Sequence, residues 1–323
     1  MERLTQLETG PLFLVSILVL LAATQLVVYV LGHLEKRRLG SVQLGTIVTP
    51  LCTGFPNLMI GLFGQERLQG DLVLQLNIGN NIANTSLVCG VLLFLAGPLV
   101  VRAGKGKSKK AVRTNRDQWM TLLFLWLATA LTVYLAMDGD ITRQDGMILT
   151  SYYLMVQAYT WSRRDRATKK QQMSTLMGLY LMLLLVLAAW GIQQAVNLMG
   201  LALDRVESLL PGGHLGLFLG LLTVVPESFL LLRLASRQGS LGLNGLVGDC
   251  LVSIPLVIGL SSMIYPISTT AITSITDVAA RPYLCLAVTM TAISLLAMKS
   301  GPVPRRVGLL FMALYAGIWV VTQ

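Results

Sequence analysis

The sequence predicts an all-α polytopic membrane protein, with ten transmembrane helices arranged as two inverted five-helix repeats. Three observations predict it. The 323 residues are 54% hydrophobic and only 12% charged, whereas soluble domains carry about 25% charged residues. Apolar windows of about 20 residues, long enough to cross a hydrocarbon core, recur along the chain. One segment in each half also carries a matching polar pattern around a proline and a glycine.

The first span is expected over Pro11–Gly32. Its leader, MERLTQLETG, lacks a basic n-region, and the apolar run exceeds a signal-peptide core, so it reads as a membrane helix and not a cleaved signal. The second span covers Val42–Phe63 and the third Leu72–Val101, followed by a basic loop, Arg102–Asp117. Spans four and five, Trp119–Met137 and Gly146–Trp161, flank the acidic turn DGDITRQD. After a second basic loop, Arg163–Gln172, come Ser174–Leu198, Gly213–Leu234, Leu241–Tyr265, Pro282–Met298 and Val307–Val321.

Loop charge alternates with this count. The loops after odd-numbered spans are positive, the 102–117 and 163–170 stretches carrying +6 and +4, while the intervening ones are neutral or acidic. Lys and Arg mark cytoplasmic loops, so both termini should be non-cytoplasmic. The overall charge of +10 is thereby explained by topology, and no nucleic-acid partner is expected. The surroundings should be membrane lipid and inorganic cations. The sequence leaves oligomeric state open.

Five spans per half place homologous halves upside down relative to each other, with a site at the repeat interface. The expected halves are residues 1–161 and 173–323, joined by a cytoplasmic basic linker, 162–172. In the first half, Thr53-Gly54-Phe55-Pro56-Asn57 precedes Gly79-Asn80-Asn81-Ile82-Ala83-Asn84. In the second, Thr223-Val224-Val225-Pro226-Glu227 precedes Gly248-Asp249-Cys250-Leu251-Val252-Ser253. From the polar residue after each proline, the glycine follows 22 and 21 positions later. The motifs sit within 45–95 and 218–262, on spans two and three of each half.

Glu227 and Asp249 are the acids expected inside hydrocarbon, where an ionised side chain costs from about 3 to over 10 kcal/mol and marks a functional site. A mid-helix proline frees the carbonyl four residues back. Backbone near Thr49–Cys52 and Phe218–Leu222 is thus expected to turn toward a cation. Hard cations take carboxylate, amide, hydroxyl and carbonyl oxygens, which Thr53, Asn57, Thr223, Glu227, Asn80, Asn84, Asp249 and Ser253 offer. Glu227 and Asp249 are the expected metal-binding carboxylates.

Other polar residues have plainer readings. Asn77 and Asn81 serve equally well as hydrogen-bonding glue between helices. Gly79, Gly90, Gly245 and Gly248 read as close-packing positions. Met173, Met177, Met182 and Met199 read as lipid-facing or filler residues. Cys52, Cys89, Cys250 and Cys285 show no CxxC spacing and read as apolar packing residues. His33 and His214 sit near span ends and make no metal cage.

The paired segments resemble the two alpha repeats of the calcium/cation antiporter superfamily, the sodium/calcium exchanger type of membrane protein, of which this chain looks like a divergent member. There each repeat is similar to G-T-S-x-P-E followed by G-S-N-x-x-N. The resemblance implies a central cation site of Asn57, Asn84, Glu227 and Ser253, flanked by Thr53, Asn80, Thr223 and Asp249. The first-repeat glutamate of the family is Asn57 here, its motif serines are Gly54 and Val224, and Asp249 stands where serine is usual. Both carboxylates therefore come from the second half.

The expected function is alternating-access antiport of Ca²⁺ or a related cation against Na⁺ or H⁺, with a mid-membrane site centred on Glu227. The alternative is a non-transporting or sensor homologue that keeps the exchanger fold with a degenerate ion site. An enzyme is not expected: Gly-Leu-Val-Gly-Asp at 245–249 lacks the first glycine and the second aspartate of intramembrane aspartyl proteases, and neither HExxH nor GxSxG occurs. No cofactor is expected apart from the transported cation, Ca²⁺ or Na⁺. The expected location is a bacterial cell inner membrane.

Overall fold

The computed structural model describes residues 9–35, 54–63, 70–95, 99–100, 109–162, 175–206, 214–237, 239–269, 271, 282–299 and 302–321. The basic stretches 36–38, 102–108 and 163–170 lie outside them, as does Thr53.

Helix α1 (Thr9–Glu35) is mostly apolar and packs along α7 (Thr175–Val206). The approach is close at Gly191, where an added Cβ would stand 3.0 Å from the Ala23 side chain. Short helix α2 (Phe55–Phe63) is followed by α3 (Gly70–Ala83), a π-helical segment (Asn84–Val88) and α4 (Cys89–Leu95). Strand β1 (Leu99–Val100) comes next, so these two residues, expected at the end of the third span, are extended and not helical. Helix α5 (Lys109–Leu135) begins inside the segment expected as a basic loop: a turn rich in Lys and Arg extends the fourth span's helix instead of breaking it. The acidic turn contains β2 (Asp140–Ile141) and Gly139 at φ +99°, a left-handed conformation that glycine adopts without steric cost. Helix α6 (Arg143–Ser162) closes the first half.

The second half continues from α7 to α8 (His214–Arg237), α9 (Gly239–Leu251), a second π-helical segment (Val252–Ile258) and α10 (Gly259–Ile264). Strand β3 (Ile267–Ser268), α11 (Pro282–Met298), β4 (Pro302–Val303) and α12 (Arg305–Val321) complete it.

Contacts made by the first half recur in the second with roles exchanged. Helix α3 packs on α8 and α11, while the second π-helical segment packs on α2 and α9 packs on α5. Helix α4 packs on α12, as α10 packs on α6. Strand β1 pairs antiparallel with β4, and β2 with β3, Leu99 opposite Val303 and Asp140 opposite Ser268. Glycines permit the corresponding helix crossings. A Cβ at Gly90 would meet the Gly308 carbonyl oxygen at 2.7 Å, and one at Gly146 would meet that of Gly259 at 2.6 Å.

The irregular backbone lies elsewhere than expected. Helix α8 runs unbroken across Pro226, while both π-helical segments fall in the neighbouring helices. The second contains Pro255, which cannot donate to the ladder. The first has no proline, but the Thr85 hydroxyl donates to the Asn81 carbonyl at 2.6 Å and that of Ser86 to the Ile82 carbonyl. Such back-bonding competes with the helix's own hydrogen bonds and bends it. The expected turn near Thr49–Cys52 lies outside the described residues.

Of the apolar stretch Leu72–Leu95, 78% is buried, and of Gly242–Ile264, 83%, against 17% for Leu176–Ala195. The two helices with π-helical interruptions therefore form the centre, and α7 lies at the periphery. Among the described residues, five helices are long and apolar enough to cross a membrane. The outward side chains include Leu176, Met182, Trp190 and Leu310, an apolar exterior suited to lipid. Cys89 and Cys250 are buried and Cys285 is half-buried, while Cys52 lies outside the described residues.

Candidate cation site

Where α2, α3, α8 and α9 meet, six polar side chains share one hydrogen-bonded network: Asn57, Asn80, Asn84, Thr223, Asp249 and Ser253. All are buried, Thr223 at 3% exposure and the others at 0%. Asn57 lies early in α2; Asn80 is on α3, and Asn84 opens the first π-helical segment. Asp249 lies near the end of α9, and Ser253 in the second π-helical segment. The two interrupted helices thus bring their motif residues together where their backbones are irregular, an arrangement tolerated at membrane depth only under protein cover or around a cavity.

Asn84 is the node. Its Nδ2 donates to Asp249 Oδ2 at 2.7 Å and to Asn80 Oδ1 at 3.1 Å. Asn80 Nδ2 donates to Thr223 Oγ1 at 3.0 Å, and that hydroxyl donates to the Gly220 carbonyl at 2.9 Å. Ser253 Oγ donates to Asn80 Oδ1 at 3.4 Å and accepts from Asn57 Nδ2 at 3.4 Å. Close approach of α3 and α8 rests on glycine: a Cβ at Gly220 would stand 2.3 Å from the Asn80 backbone nitrogen.

The amide N–H groups are engaged, but the oxygens Asn57 Oδ1 and Asn84 Oδ1 are buried with no hydrogen-bond partner among the described residues. Leaving such an acceptor unsatisfied costs about 1–3 kcal/mol. A cation satisfies oxygen lone pairs that no N–H or O–H reaches, and an ionised Asp249 would balance part of its charge. The donor set of amide, hydroxyl and carboxylate oxygens fits a hard cation.

Of the residues expected here, Thr53 lies outside the described residues. Glu227 falls within α8, four residues beyond Thr223, and its side chain lies outside the described residues. Asn77 and Asn81 stand apart from the network. Asn77 Nδ2 donates to the Val73 carbonyl within α3, while Asn81 Nδ2 ties α3 to α9 through the Cys250 carbonyl at 3.3 Å. The motifs gave no sign of Tyr153 on α6, which is buried beside the second π-helical segment.

The sodium/calcium exchanger protein family model matches residues 10–162 and 176–322 of the chain. The chain belongs to the sodium/calcium exchanger family. It is therefore an integral membrane protein of a cation-exchange transporter family and not an enzyme. Its fold is shared with solved structures of the sodium-calcium exchanger NCX_Mj, each 18% identical to this chain. One, soaked with 10 mM Na⁺ and zero Ca²⁺, has a TM-score of 0.66 and covers 98% of this chain and 99% of its own. Another, in 2.5 mM Na⁺ and 1 mM Sr²⁺, gives 0.67 with 98% of each chain covered. A third, in 2.5 mM Na⁺ and 0.1 mM Ca²⁺, gives 0.64 over 98% of each chain. No curated protein sequence matches.

Proposed function

We propose that this exchanger-family chain is a secondary active antiporter that moves Ca²⁺ or a related cation against Na⁺ or H⁺. The observation that carries this reading is the buried network where α2, α3, α8 and α9 meet. It joins one carboxylate to two asparagines whose amide oxygens lack donors among the described residues.

In this reading, ten spans form two inverted halves, residues 1–161 and 173–323, linked by 162–172. The exchanged contacts and paired glycine crossings support it. The site lies near mid-membrane and centres on Glu227, with Asp249 supplying the charge that Asn57 does not. Two carboxylates neutralise one divalent cation or two monovalent ones, so the occupants alternate. Rocking of one helix group about the site exposes it to each side in turn. The positive loops after odd-numbered spans face the cytoplasm of a bacterial inner membrane, leaving both termini outside.

Gradient-driven Ca²⁺ flux in proteoliposomes tests this. Flux should be present in the unaltered protein and lost in Glu227→Gln; undiminished flux in that variant would remove Glu227 from the site. The internal hydrogen bond from Asn57 to Ser253 favours a second reading, in which the network is closed on itself and the chain is a non-transporting sensor or accessory protein. A fully degenerate site gives no cation-dependent thermal stabilisation, whereas a binding site does.

A further inference from the structure

Polar groups continue past the network toward one end of the molecule and not the other. Helix α3 contacts β3 and leads through α4 to β1, whereas α9 contacts β1 and leads through α10 to β3. Residues ahead of the network on α3, or past it on α10, therefore lie toward the β2–β3 end. Asn77 and Ser261 are two of these, and both are fully buried. Asn77 Nδ2 donates to the Val73 carbonyl, but its Oδ1 has no hydrogen-bond partner among the described residues. The Ser261 hydroxyl has none either, although its neighbour Ser262 donates to the Gly259 carbonyl. A Cβ at Gly61 would stand 2.4 Å from Ser261 Oγ. The bare backbone of α2, one turn past Asn57, thus leaves that hydroxyl its room.

The repeat provides an internal comparison. Gly90 and Gly259 come six residues after Asn84 and Ser253 and make matching contacts with Gly308 and Gly146. That fixes the register of the two halves through this region. In it Leu246 corresponds to Asn77, each seven residues before its motif's last polar position, and Leu92 to Ser261, each eight residues after. Leu231 corresponds to Gly61, four residues after Glu227 and Asn57. Gly216 and Gly220 meet Gln75 and Gly79 in turn, so α8 runs parallel to α3 and carries Leu231 toward the β1–β4 end. The three counterparts at that end are thus all leucine, and all are buried in one apolar cluster. A buried oxygen without a donor favours entry of water, which satisfies it, while an apolar lining stays dry.

We propose that Asn77 and Ser261 line a hydrated route by which a cation reaches the network from the β2–β3 end, while Leu92, Leu231 and Leu246 form a dry barrier toward the β1–β4 end. This route presupposes the cation reading of the network. Neutral oxygens suit it, because they replace waters of hydration without holding the ion as a carboxylate would. Exchange with the β1–β4 face requires the leucines to part, so entry and release are slower on that side.

The test compares corresponding positions of the two halves by thiol labelling. In the full-length protein, Cys52, Cys89, Cys250 and Cys285 are replaced by alanine, and a single cysteine is introduced. A cationic, water-soluble methanethiosulfonate is applied in detergent, where both ends of the molecule meet the reagent. Ser261→Cys should react about tenfold faster than Leu92→Cys, the ratio that one neutral hydrogen bond to water is worth. Asn77→Cys should likewise outpace Leu246→Cys, and this pair carries the test if a member of the first does not fold. Saturating CaCl₂ should slow the two faster reactions, since a bound Ca²⁺ repels a like-charged reagent. Equal rates within both pairs, or faster reaction at the leucine positions, would overturn the route; Ca²⁺-dependent thermal stabilisation of the same protein would then leave the central reading standing. Unequal rates that Ca²⁺ does not alter, in a protein that Ca²⁺ does not stabilise, would overturn the central reading and the ion route with it.

Discussion

The two interrupted helices at the centre reach the same shape by different chemistry. In the first half, Asn80, Asn84 and, from α2, Asn57 bring amides, and hydroxyls of Thr85 and Ser86 draw carbonyls from the helix ladder. In the second, Asp249 brings a carboxylate, Ser253 a hydroxyl, and Pro255 interrupts the ladder by lacking a donor. The first half thus supplies neutral groups that donate and accept, and the second supplies the charge. Symmetric geometry with asymmetric charge means that corresponding substitutions should have unequal effects.

The largest inequality is expected in transport. Asp249→Asn removes the network's described carboxylate and should lower Ca²⁺ flux in proteoliposomes by about 100-fold, equivalent to about 3 kcal/mol for a charged contact. Asn57→Ala, in the other half, should cost about tenfold or less, the scale of one neutral hydrogen bond. Equal losses would show that the charge asymmetry has no functional weight.

The glycine contacts offer a comparison in stability. A Cβ at Gly220 meets the backbone of Gly79 and Asn80, at 2.4 and 2.3 Å, while one at Gly61 meets the side chains of Ser261 and Val257, at 2.4 and 2.8 Å. Backbone cannot step aside, so Gly220→Ala should cost about 3 kcal/mol or more, the upper range of overpacking. Gly61→Ala should cost about 1 kcal/mol, because a side chain can change rotamer. Unfolding midpoints of the two variants in detergent would check the order.

Asn84→Asp converts the node into a like-charged neighbour of Asp249, the two side chains now being in 2.7 Å contact. Such a pair retains a proton that a single carboxylate would release. A bound cation must displace it, so Ca²⁺ affinity in this variant should fall as pH falls, more steeply than in the unaltered protein. Calcium titrations across a pH series would reveal an unchanged slope if the carboxylates do not meet. An effect as small as that of Gly61→Ala is expected at Thr85→Val, which removes the 2.8 Å bond to the Thr289 hydroxyl and the back-bond to Asn81. It should cost about 1 kcal/mol of stability, read as a modest drop in the unfolding midpoint.

Much of the helical plan was legible because hydrophobicity is local: each apolar window identifies a helix without reference to its neighbours. Helix ends were less so, as at α5, where a turn of Lys and Arg extends the helix instead of ending it. The motif residues were legible for a different reason. Asn57, Asn80, Asn84, Thr223, Asp249 and Ser253 are polar groups in apolar surroundings at matching spacings in both halves, and the fold brings them into one network. Proline misled at Pro226, because whether a missing N–H distorts a helix depends on what packs around it; the distortions lie at Asn84–Val88 and Val252–Ile258.

By itself, then, the sequence determined a membrane-embedded helical chain with two related polar motifs and its acids in the second. Composition, window length and repeat spacing are readable one residue at a time. Only the tertiary structure decided that Asn84 meets Asp249, that Asn81 ties helices outside the network, and that Tyr153 packs from α6 against the second π-helical segment. Those are contacts between segments up to 169 residues apart, and no local pattern encodes which face of one helix another will meet.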